Sequence, residues 1–168
     1  MSTLSATLLY LGTGLVFGAD VEGPIQMFAN SFFCLDIPGG DTTNGNNLWL
    51  WQCMGISGQD WQFHPDNQTI TLVSDTTKCV DAGAMALGEL LMIWDCNELP
   101  QQRWGYNAST HAIYLNQSSV NTSGGCVDVK DGKQENGNYV QVWTCLEGYA
   151  SANQKWTIGG VQEFSQLV

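Results

Sequence analysis

Charge is scarce in this sequence, and positive charge is scarcest. Only 12% of the 168 residues are charged, against about 25% in ordinary globular chains. Sixteen Asp and Glu residues outnumber five Lys and Arg residues, which gives a formal net charge of -11. An acidic surface repels phosphate backbones and offers them no basic stripe, so nucleic acid is not an expected partner. Anionic lipid headgroups are disfavoured for the same reason.

Long apolar runs are also missing, except near the N-terminus. Residues 4–19 form an apolar stretch that is short for a membrane span and about right for the core of a secretory signal. No Lys or Arg precedes this stretch, so a retained anchor and a segment that docks on another protein stay open as alternatives. We predict an N-terminal segment at residues 1–20, a folded domain at residues 21–160 and a C-terminal tail at residues 161–168.

One pattern occurs three times along the predicted domain. Each copy begins with Cys-x-Asp, continues with a hydrophobic-x-Trp-x-Cys segment and ends with Gln-x-Trp, and the leading cysteines lie 45 and 47 residues apart. The leading tripeptides are Cys34-Leu35-Asp36, Cys79-Val80-Asp81 and Cys126-Val127-Asp128, and the closing ones are Gln59-Asp60-Trp61, Gln102-Arg103-Trp104 and Gln154-Lys155-Trp156. Three such units form one domain because each must bury its apolar face against the other two.

Six cysteines, two in each repeat, predict three disulfides and an oxidising compartment. Equivalent units should close equivalent loops. The predicted pairs, separated by 19, 17 and 19 residues, are therefore Cys34 with Cys53, Cys79 with Cys96, and Cys126 with Cys145. Zinc sites favour closer cysteine pairs with nearby histidines, and the two histidines here are isolated in sequence. We expect neither a metal nor a cofactor.

Apolar residues alternate with other residues in the middle of each repeat, which predicts β-strands. The residues predicted to point into the core are Leu48, Leu50, Leu91, Ile93, Val140 and Val142. The residues predicted on the opposite face are Trp49, Trp51, Met92, Trp94, Gln141 and Trp143. After residue 20 no apolar period of a helix is sustained, so the body should be all-β. The closing Gln-x-Trp tryptophans should fill the core, with each glutamine satisfying loop backbone groups.

Three units of this form resemble the ricin-type β-trefoil lectins, a family also counted among carbohydrate-binding modules. The resemblance covers about residues 22–160 and implies an all-β trefoil with one disulfide in each repeat. It further implies a secreted or extracytoplasmic, non-catalytic domain whose partners are glycans of the galactose or N-acetylgalactosamine type. The third repeat is the closest match to the galactose-binding repeats of this family.

The resemblance implies a shallow pocket in each repeat, with the main site in the third. Asp128 would accept hydrogen bonds from two adjacent sugar hydroxyls, and Trp143 would pack its flat face against the pyranose ring. Asn153 and Gln154 would complete the ring of hydrogen bonds with their amides, while Gln141 would support the strand beside the tryptophan. The expected site therefore combines a carboxylate, an indole and side-chain amides.

The other two repeats keep part of this pattern. The second repeat has Asp81 and Trp94, with Gln101 at the asparagine position, and should bind more weakly. The first has Asp36 and Trp51 without the supporting amides, which makes its site doubtful. Two structural explanations stay open for all three repeats: each carboxylate could cap the turn that follows it, and each tryptophan could cover the adjacent disulfide.

An enzyme is not expected from this sequence. His64 and His111 belong to no recognisable catalytic arrangement, and the candidate carboxylates fall one to a repeat rather than in a pair. The alternative function is a structural or interaction subunit of an extracytoplasmic or lumenal membrane-associated assembly. Such a subunit would use a lectin-like fold without binding sugar and would dock through residues 1–20.

Overall fold

The computed structural model describes residues 19–116, 125–146 and 152–159, which form antiparallel strands linked by turns and short 3-10 helices. No α-helix occurs among these residues, and within the same ranges no helix is long and apolar enough to cross a membrane. Most of the predicted N-terminal segment and all of the predicted tail lie outside the described residues. The predicted all-β class is confirmed.

Thirteen strands make up the described part of the chain. They are β1 (Val21–Gly23), β2 (Ile25–Met27), β3 (Phe33–Asp36), β4 (Trp49–Gln52), β5 (Trp61–His64), β6 (Thr69–Leu72), β7 (Asp75–Asp81), β8 (Met92–Asp95), β9 (Trp104–Asn107), β10 (Ala112–Leu115), β11 (Gly125–Val129), β12 (Val140–Thr144) and β13 (Trp156–Ile158). The 3-10 helices are Pro38–Gly40, Ser57–Gln59, Pro100–Gln102, Lys130–Gly132 and Ala152–Gln154.

The sheets join one repeat to the next. Their strand orders are β1-β5-β6-β7-β8, β12-β11-β10-β9 and β13-β2-β3-β4. The strand that begins at each closing tryptophan pairs with the first strand of the following repeat, as β5 with β6, β9 with β10, and β13 with β2. Because the third repeat returns to the first in this way, the three units close into a β-trefoil.

The closing tryptophans fill the core. Each indole is fully buried and donates its N–H to the carbonyl between the cysteine and the aspartate of its own repeat. The pairs are Trp61 to Leu35 at 3.0 Å, Trp104 to Val80 at 2.9 Å and Trp156 to Val127 at 2.9 Å. The six residues predicted to point inward are also buried, so both predictions about the core are confirmed.

The closing glutamines fix the loop that follows the second cysteine of each repeat. Each amide nitrogen donates to a strand carbonyl, and each amide oxygen accepts from the backbone N–H that follows the cysteine. Gln59 donates to Gln52 (2.9 Å) and accepts from Met54 (2.7 Å). Gln102 donates to Asp95 (3.0 Å) and accepts from Asn97 (2.8 Å). Gln154 donates to Thr144 (2.9 Å) and accepts from Leu146 (3.1 Å). The predicted role of these amides is confirmed.

The disulfides are Cys34–Cys53, Cys79–Cys96 and Cys126–Cys145, which confirms the predicted pairing. Strand register places one tryptophan directly opposite each leading cysteine. These pairs are Trp51 with Cys34, Trp94 with Cys79 and Trp143 with Cys126. Side chains opposite one another in a sheet share a face, so each of these tryptophans lies beside its disulfide on the side away from the core.

Candidate functional site

The aspartate of the third repeat is held by two side-chain amides rather than by its own turn. Asp128 lies opposite Gln141 in the pairing of β11 with β12. Its Oδ1 accepts from Gln141 Nε2 at 3.0 Å, and its Oδ2 accepts from Gln154 Nε2 at 3.0 Å. A carboxylate has about four acceptor positions, so two bonds leave acceptor capacity on both oxygens. The explanation that this carboxylate caps its turn does not apply here.

The electrostatics of Asp128 reflect its depth. The side chain is 5% exposed, and this burial is the largest influence, raising the pKa of the Asp128 carboxyl above its usual range. The bonds from Gln141 and Gln154 lower the same pKa, and the nearby carboxylate of Asp131 raises it. The amides therefore stabilise a charge that its surroundings disfavour.

Trp143, in the strand β12 that also carries Gln141, presents an exposed aromatic face. Its side chain is 44% exposed, and the preceding repeat supplies part of its support. Gly88 has φ +88 and lies so close that an added Cβ would be 3.7 Å from Trp143 Cζ3. The Gly88 N–H also donates to the carbonyl of Val142 at 2.8 Å. The indole thus lies beside a loop from the second repeat, which is hydrogen-bonded to the strand that carries Trp143.

Asn153 packs over Gly132, in the turn that follows the strand of Asp128. Gly132 has φ +66, and a Cβ at this position would approach Asn153 Nδ2 to 2.6 Å. Any residue larger than glycine would therefore displace the asparagine amide. The loop between Leu146 and Asn153 includes residues outside the described ranges.

A cleft of about 520 Å³ lies among these side chains. The described residues that line it are Gly88, Asp128, Lys130, Asp131, Gly132, Gln141, Trp143, Leu146 and Asn153. Four of the five residues predicted for the main site therefore meet in one place. Gln154 lies behind the carboxylate, 1% exposed, with its amide engaged by Asp128 and the backbone.

Sequence reasoning missed five of the lining residues. Lys130, Asp131 and Gly132 form the short turn directly after the Cys-x-Asp strand, and this adjacency was a signal that could have located them. Leu146 follows the second cysteine of the repeat, which was a similar signal. Gly88 belongs to another repeat, and nothing within the third repeat points to it.

The second repeat uses its aspartate differently. Asp81 Oδ1 accepts from the N–H of Gly83 at 2.7 Å, so this carboxylate does cap its own turn, while Oδ2 accepts from Gln102 Nε2 at 2.8 Å. The space beside the turn is occupied: a Cβ on Gly83 would lie 2.9 Å from Glu89 Oε1 and 3.0 Å from Met92 Cε. Trp94 remains exposed.

Gln101 of the second repeat is half-buried, and its backbone carbonyl accepts from the N–H of Ala82 at 2.9 Å. The structure places it next to the Gln102 that holds Asp81. The three residues predicted for this repeat are therefore near one another, although one of the two carboxylate oxygens is engaged by the turn.

The first repeat covers its aspartate with an indole. Trp49 Nε1 donates to Asp36 Oδ1 at 2.6 Å, and the Trp49 ring stacks on Trp51 with centroids 4.9 Å apart. Burial raises the pKa of Asp36, against the lowering effect of the bond from Trp49. Gly58, at the asparagine position, is buried against the backbone carbonyl of Ile37 and offers no amide side chain.

His64 is isolated in sequence but contacts two polar side chains in the fold. Its Nδ1 lies 2.9 Å from Asp20 Oδ2, and its Nε2 lies 3.0 Å from Thr71 Oγ1. Thr71 is buried in the sheet. His111 stacks on Phe28 with ring centroids 3.8 Å apart. Sequence distance alone could not show these contacts.

Two larger cavities in the described part of the chain, of about 640 and 570 Å³, flank the disulfides of the second and first repeats. Neither is lined by a Cys-x-Asp carboxylate or by an exposed tryptophan. Their recurrence beside equivalent disulfides indicates a consequence of the trefoil architecture. The cleft in the third repeat is therefore the candidate site.

Known proteins resemble this chain in sequence and in fold. Serine protease 1 from Rarobacter faecitabidus is 32% identical over 143 residues, which cover 84% of this chain and only 25% of the protease. The β-trefoil lectin of the Vibrio vulnificus hemolysin/cytolysin, solved with N-acetyl-D-lactosamine bound, has a TM-score of 0.65 at 19% identity, covering 84% of this chain and 95% of that one. The C-half of an earthworm R-type lectin, in complex with GalNAc, has a TM-score of 0.62 at 20% identity, covering 82% of this chain and 97% of that one.

The two structural similarities establish a shared fold. The sequence match is more specific, because residues 21–156 fit the description of the ricin-type beta-trefoil lectin domain. This match includes all three Cys-x-Asp and Gln-x-Trp units, whose disulfides and core tryptophans the structure shows in place. The chain belongs to the ricin-type beta-trefoil lectin domain family.

Proposed function

We propose that this domain binds glycans of the galactose or N-acetylgalactosamine type, without catalysis, through the cleft of the third repeat. One observation carries the proposal: Asp128 accepts hydrogen bonds from the amides of Gln141 and Gln154, and it lines a cleft in which the Trp143 indole is exposed. Belonging to a lectin family supports carbohydrate as the ligand class.

The chemistry of the cleft suits a hexose. An ionised carboxylate accepts stronger hydrogen bonds than a neutral group does, and Asp128 can take one from each of two adjacent hydroxyls. The face of Trp143 can cover the apolar C–H face of the ring, and Asn153 adds one amide that both donates and accepts. In this proposal Gln141 and Gln154 orient the carboxylate, with Gln154 too deeply buried to reach the sugar.

The galactose class is supported by two structural neighbours, which were solved with N-acetyl-D-lactosamine and with GalNAc. We extend this preference to the present cleft as part of the proposal. Asp81 with Trp94 and Gln101, and Asp36 with Trp51, are proposed as weaker and doubtful sites. In the first repeat the indole of Trp49 lies on the carboxylate, and in the second Glu89 and Met92 occupy the space beside the turn that Asp81 caps.

Binding at one such cleft should be weak. Charge-assisted hydrogen bonds contribute about 1.5 to 3 kcal/mol each, whereas association costs about 4 to 15 kcal/mol. Useful avidity would then come from several sites or several copies that engage clustered glycans together. Three disulfides suit an oxidising compartment, so we propose secretion or exposure outside the cytoplasm.

A glycan array and a pull-down from native membranes test this function against the alternative of a membrane-associated subunit. We expect galactosides on the array to bind the wild-type domain, with little binding of matched glucosides. The absence of any glycan signal, together with stoichiometric recovery of a membrane protein that depends on residues 1–20, would favour the subunit. Array slides with densely and sparsely printed galactosides also test avidity, because weak single sites should prefer the dense surface.

A further inference from the structure

We propose that Leu146 forms an apolar subsite of the cleft that selects hexoses carrying an apolar substituent. This inference rests on the proposed function, since it concerns the sugar that Asp128 and Trp143 would bind. The shared chemistry is a small apolar group attached to the ring, which could be the methyl of an N-acetyl group or an apolar aglycone.

The first observation is exposure within the cleft. Of the described residues that line it, Trp143 and Leu146 are the large apolar ones, and their side chains are 44% and 48% exposed. In the proposed function the Trp143 indole packs against the sugar ring, while Leu146 takes no part in the hydrogen bonds to the sugar. Covering a half-exposed leucine with an apolar ligand group removes apolar surface from water and so favours binding.

The second observation is that Leu146 is held at a fixed place relative to the acid. Gln154 accepts from the Leu146 N–H at 3.1 Å and donates to Asp128 Oδ2 at 3.0 Å through the same amide group. One buried glutamine therefore connects the backbone of Leu146 to the carboxylate, and both residues line the cleft. Gln102 links Asn97 to Asp81 in the same way in the second repeat, so the link fixes the backbone at this position, and the exposed leucine side chain is what distinguishes the third repeat from the second.

The third observation comes from the equivalent positions. Met54 and Asn97 also follow the second cysteine of their repeats, and their N–H groups donate to Gln59 and Gln102 in the same manner. Methionine, asparagine and leucine are thus all compatible with this backbone arrangement. The trefoil does not require leucine at this position, so the side chain is free to serve recognition.

Leu146→Asn tests the subsite, since it installs the residue that the second repeat already carries. Leu99→Asn is the matched control, because Leu99 is exposed to a similar degree and lines the crevice of the second repeat instead. The dissociation constants of galactose, N-acetylgalactosamine and phenyl β-galactoside are measured by calorimetry for the wild-type, Leu146→Asn and Leu99→Asn domains. Near-ultraviolet circular dichroism checks that each variant is folded.

We expect the wild type to prefer at least one substituted sugar over galactose by about fourfold, the effect of covering one methylene-sized group. Leu146→Asn should abolish this preference while galactose affinity is unchanged, and Leu99→Asn should retain it. Loss with N-acetylgalactosamine alone would identify the N-acetyl group, and loss with the phenyl glycoside alone would identify the aglycone. Equal preferences in the wild type and Leu146→Asn, with galactose still bound, would overturn the subsite and leave the proposed function intact. A wild type that binds none of the three sugars would overturn both.

Discussion

Replacing Asp128 with asparagine removes one negative charge from the cleft and leaves the size of the side chain almost unchanged. The proposed function gives this carboxylate two hydrogen bonds to adjacent sugar hydroxyls. Charge-assisted bonds contribute about 1.5 to 3 kcal/mol each, so two of them at the lower value amount to about 3 kcal/mol. Since about 1.4 kcal/mol is a factor of ten in affinity, Asp128→Asn should weaken sugar binding at least a hundredfold.

The same substitution should have little effect on folding. The side chain is buried, and burial raises the pKa of Asp128, so the ionised form is less favourable in the folded chain than in water. Asparagine removes that cost. However, Gln141 and Gln154 each donate to one carboxylate oxygen of Asp128, and asparagine has a single oxygen, so one of the two amides loses its acceptor. The bond that is lost has an ionised acceptor, and such bonds contribute about 1.5 to 3 kcal/mol. We expect these opposing effects to leave the free energy of unfolding within about 1 kcal/mol of the wild type.

Calorimetric titration with methyl galactoside measures the affinity, and urea denaturation measures the stability. Asp36→Asn is the matched control, because Trp49 already donates to that carboxylate, and this substitution should leave the affinity of the third-repeat cleft unchanged. A folded Asp128→Asn domain with unchanged affinity would refute the role given to the carboxylate. A large loss of stability in Asp128→Asn would refute the account of its two amide partners.

Three further results follow from the geometry of the cleft and core. Trp143→Ala should abolish sugar binding while costing less than about 1 kcal/mol of unfolding free energy, because the indole is half exposed. Trp156→Ala should instead cost about 3 to 5 kcal/mol, because that indole is fully buried. Urea denaturation of the two variants measures both costs. Gly132→Ala should weaken binding by displacing Asn153, with little change for galactosides if Asn153 has no part in the site. Sugar affinity should be full at neutral pH and should fall as pH decreases through the pKa of Asp128, which lies above that of an ordinary aspartate; affinity that rises on acidification would contradict this sign.

Repetition explains how much of the fold could be predicted. Because each unit repeats the same cysteines and closing tryptophan, symmetry selected the disulfide pairs, and alternation placed Leu48 and its equivalents in the core. These features depend on local spacing, which a sequence displays directly. The resemblance to the ricin-type lectins then predicted which residues of the third repeat share one cleft.

Other features depend on contacts that local spacing does not display. All three aspartates follow a cysteine by two residues, yet Asp36 accepts from an indole, Asp81 from its own turn and one amide, and Asp128 from two amides. The side chain opposite each aspartate in the neighbouring strand helps to decide the outcome, since Gln141 can donate to a carboxylate while Met92 cannot. The support of Trp143 by Gly88 crosses from one repeat to the next, so it could not be read from the third repeat alone.

The central claim is that a hexose lies between Asp128 and Trp143. Nuclear magnetic resonance tests it most directly, because the chain has seven tryptophans, whose indole N–H signals can be followed separately during a titration with N-acetylgalactosamine. The account predicts a saturable shift of the Trp143 signal, with the buried Trp61, Trp104 and Trp156 signals unchanged. A Trp143 signal that does not move at saturating sugar, or a response confined to Trp51 or Trp94, would contradict it.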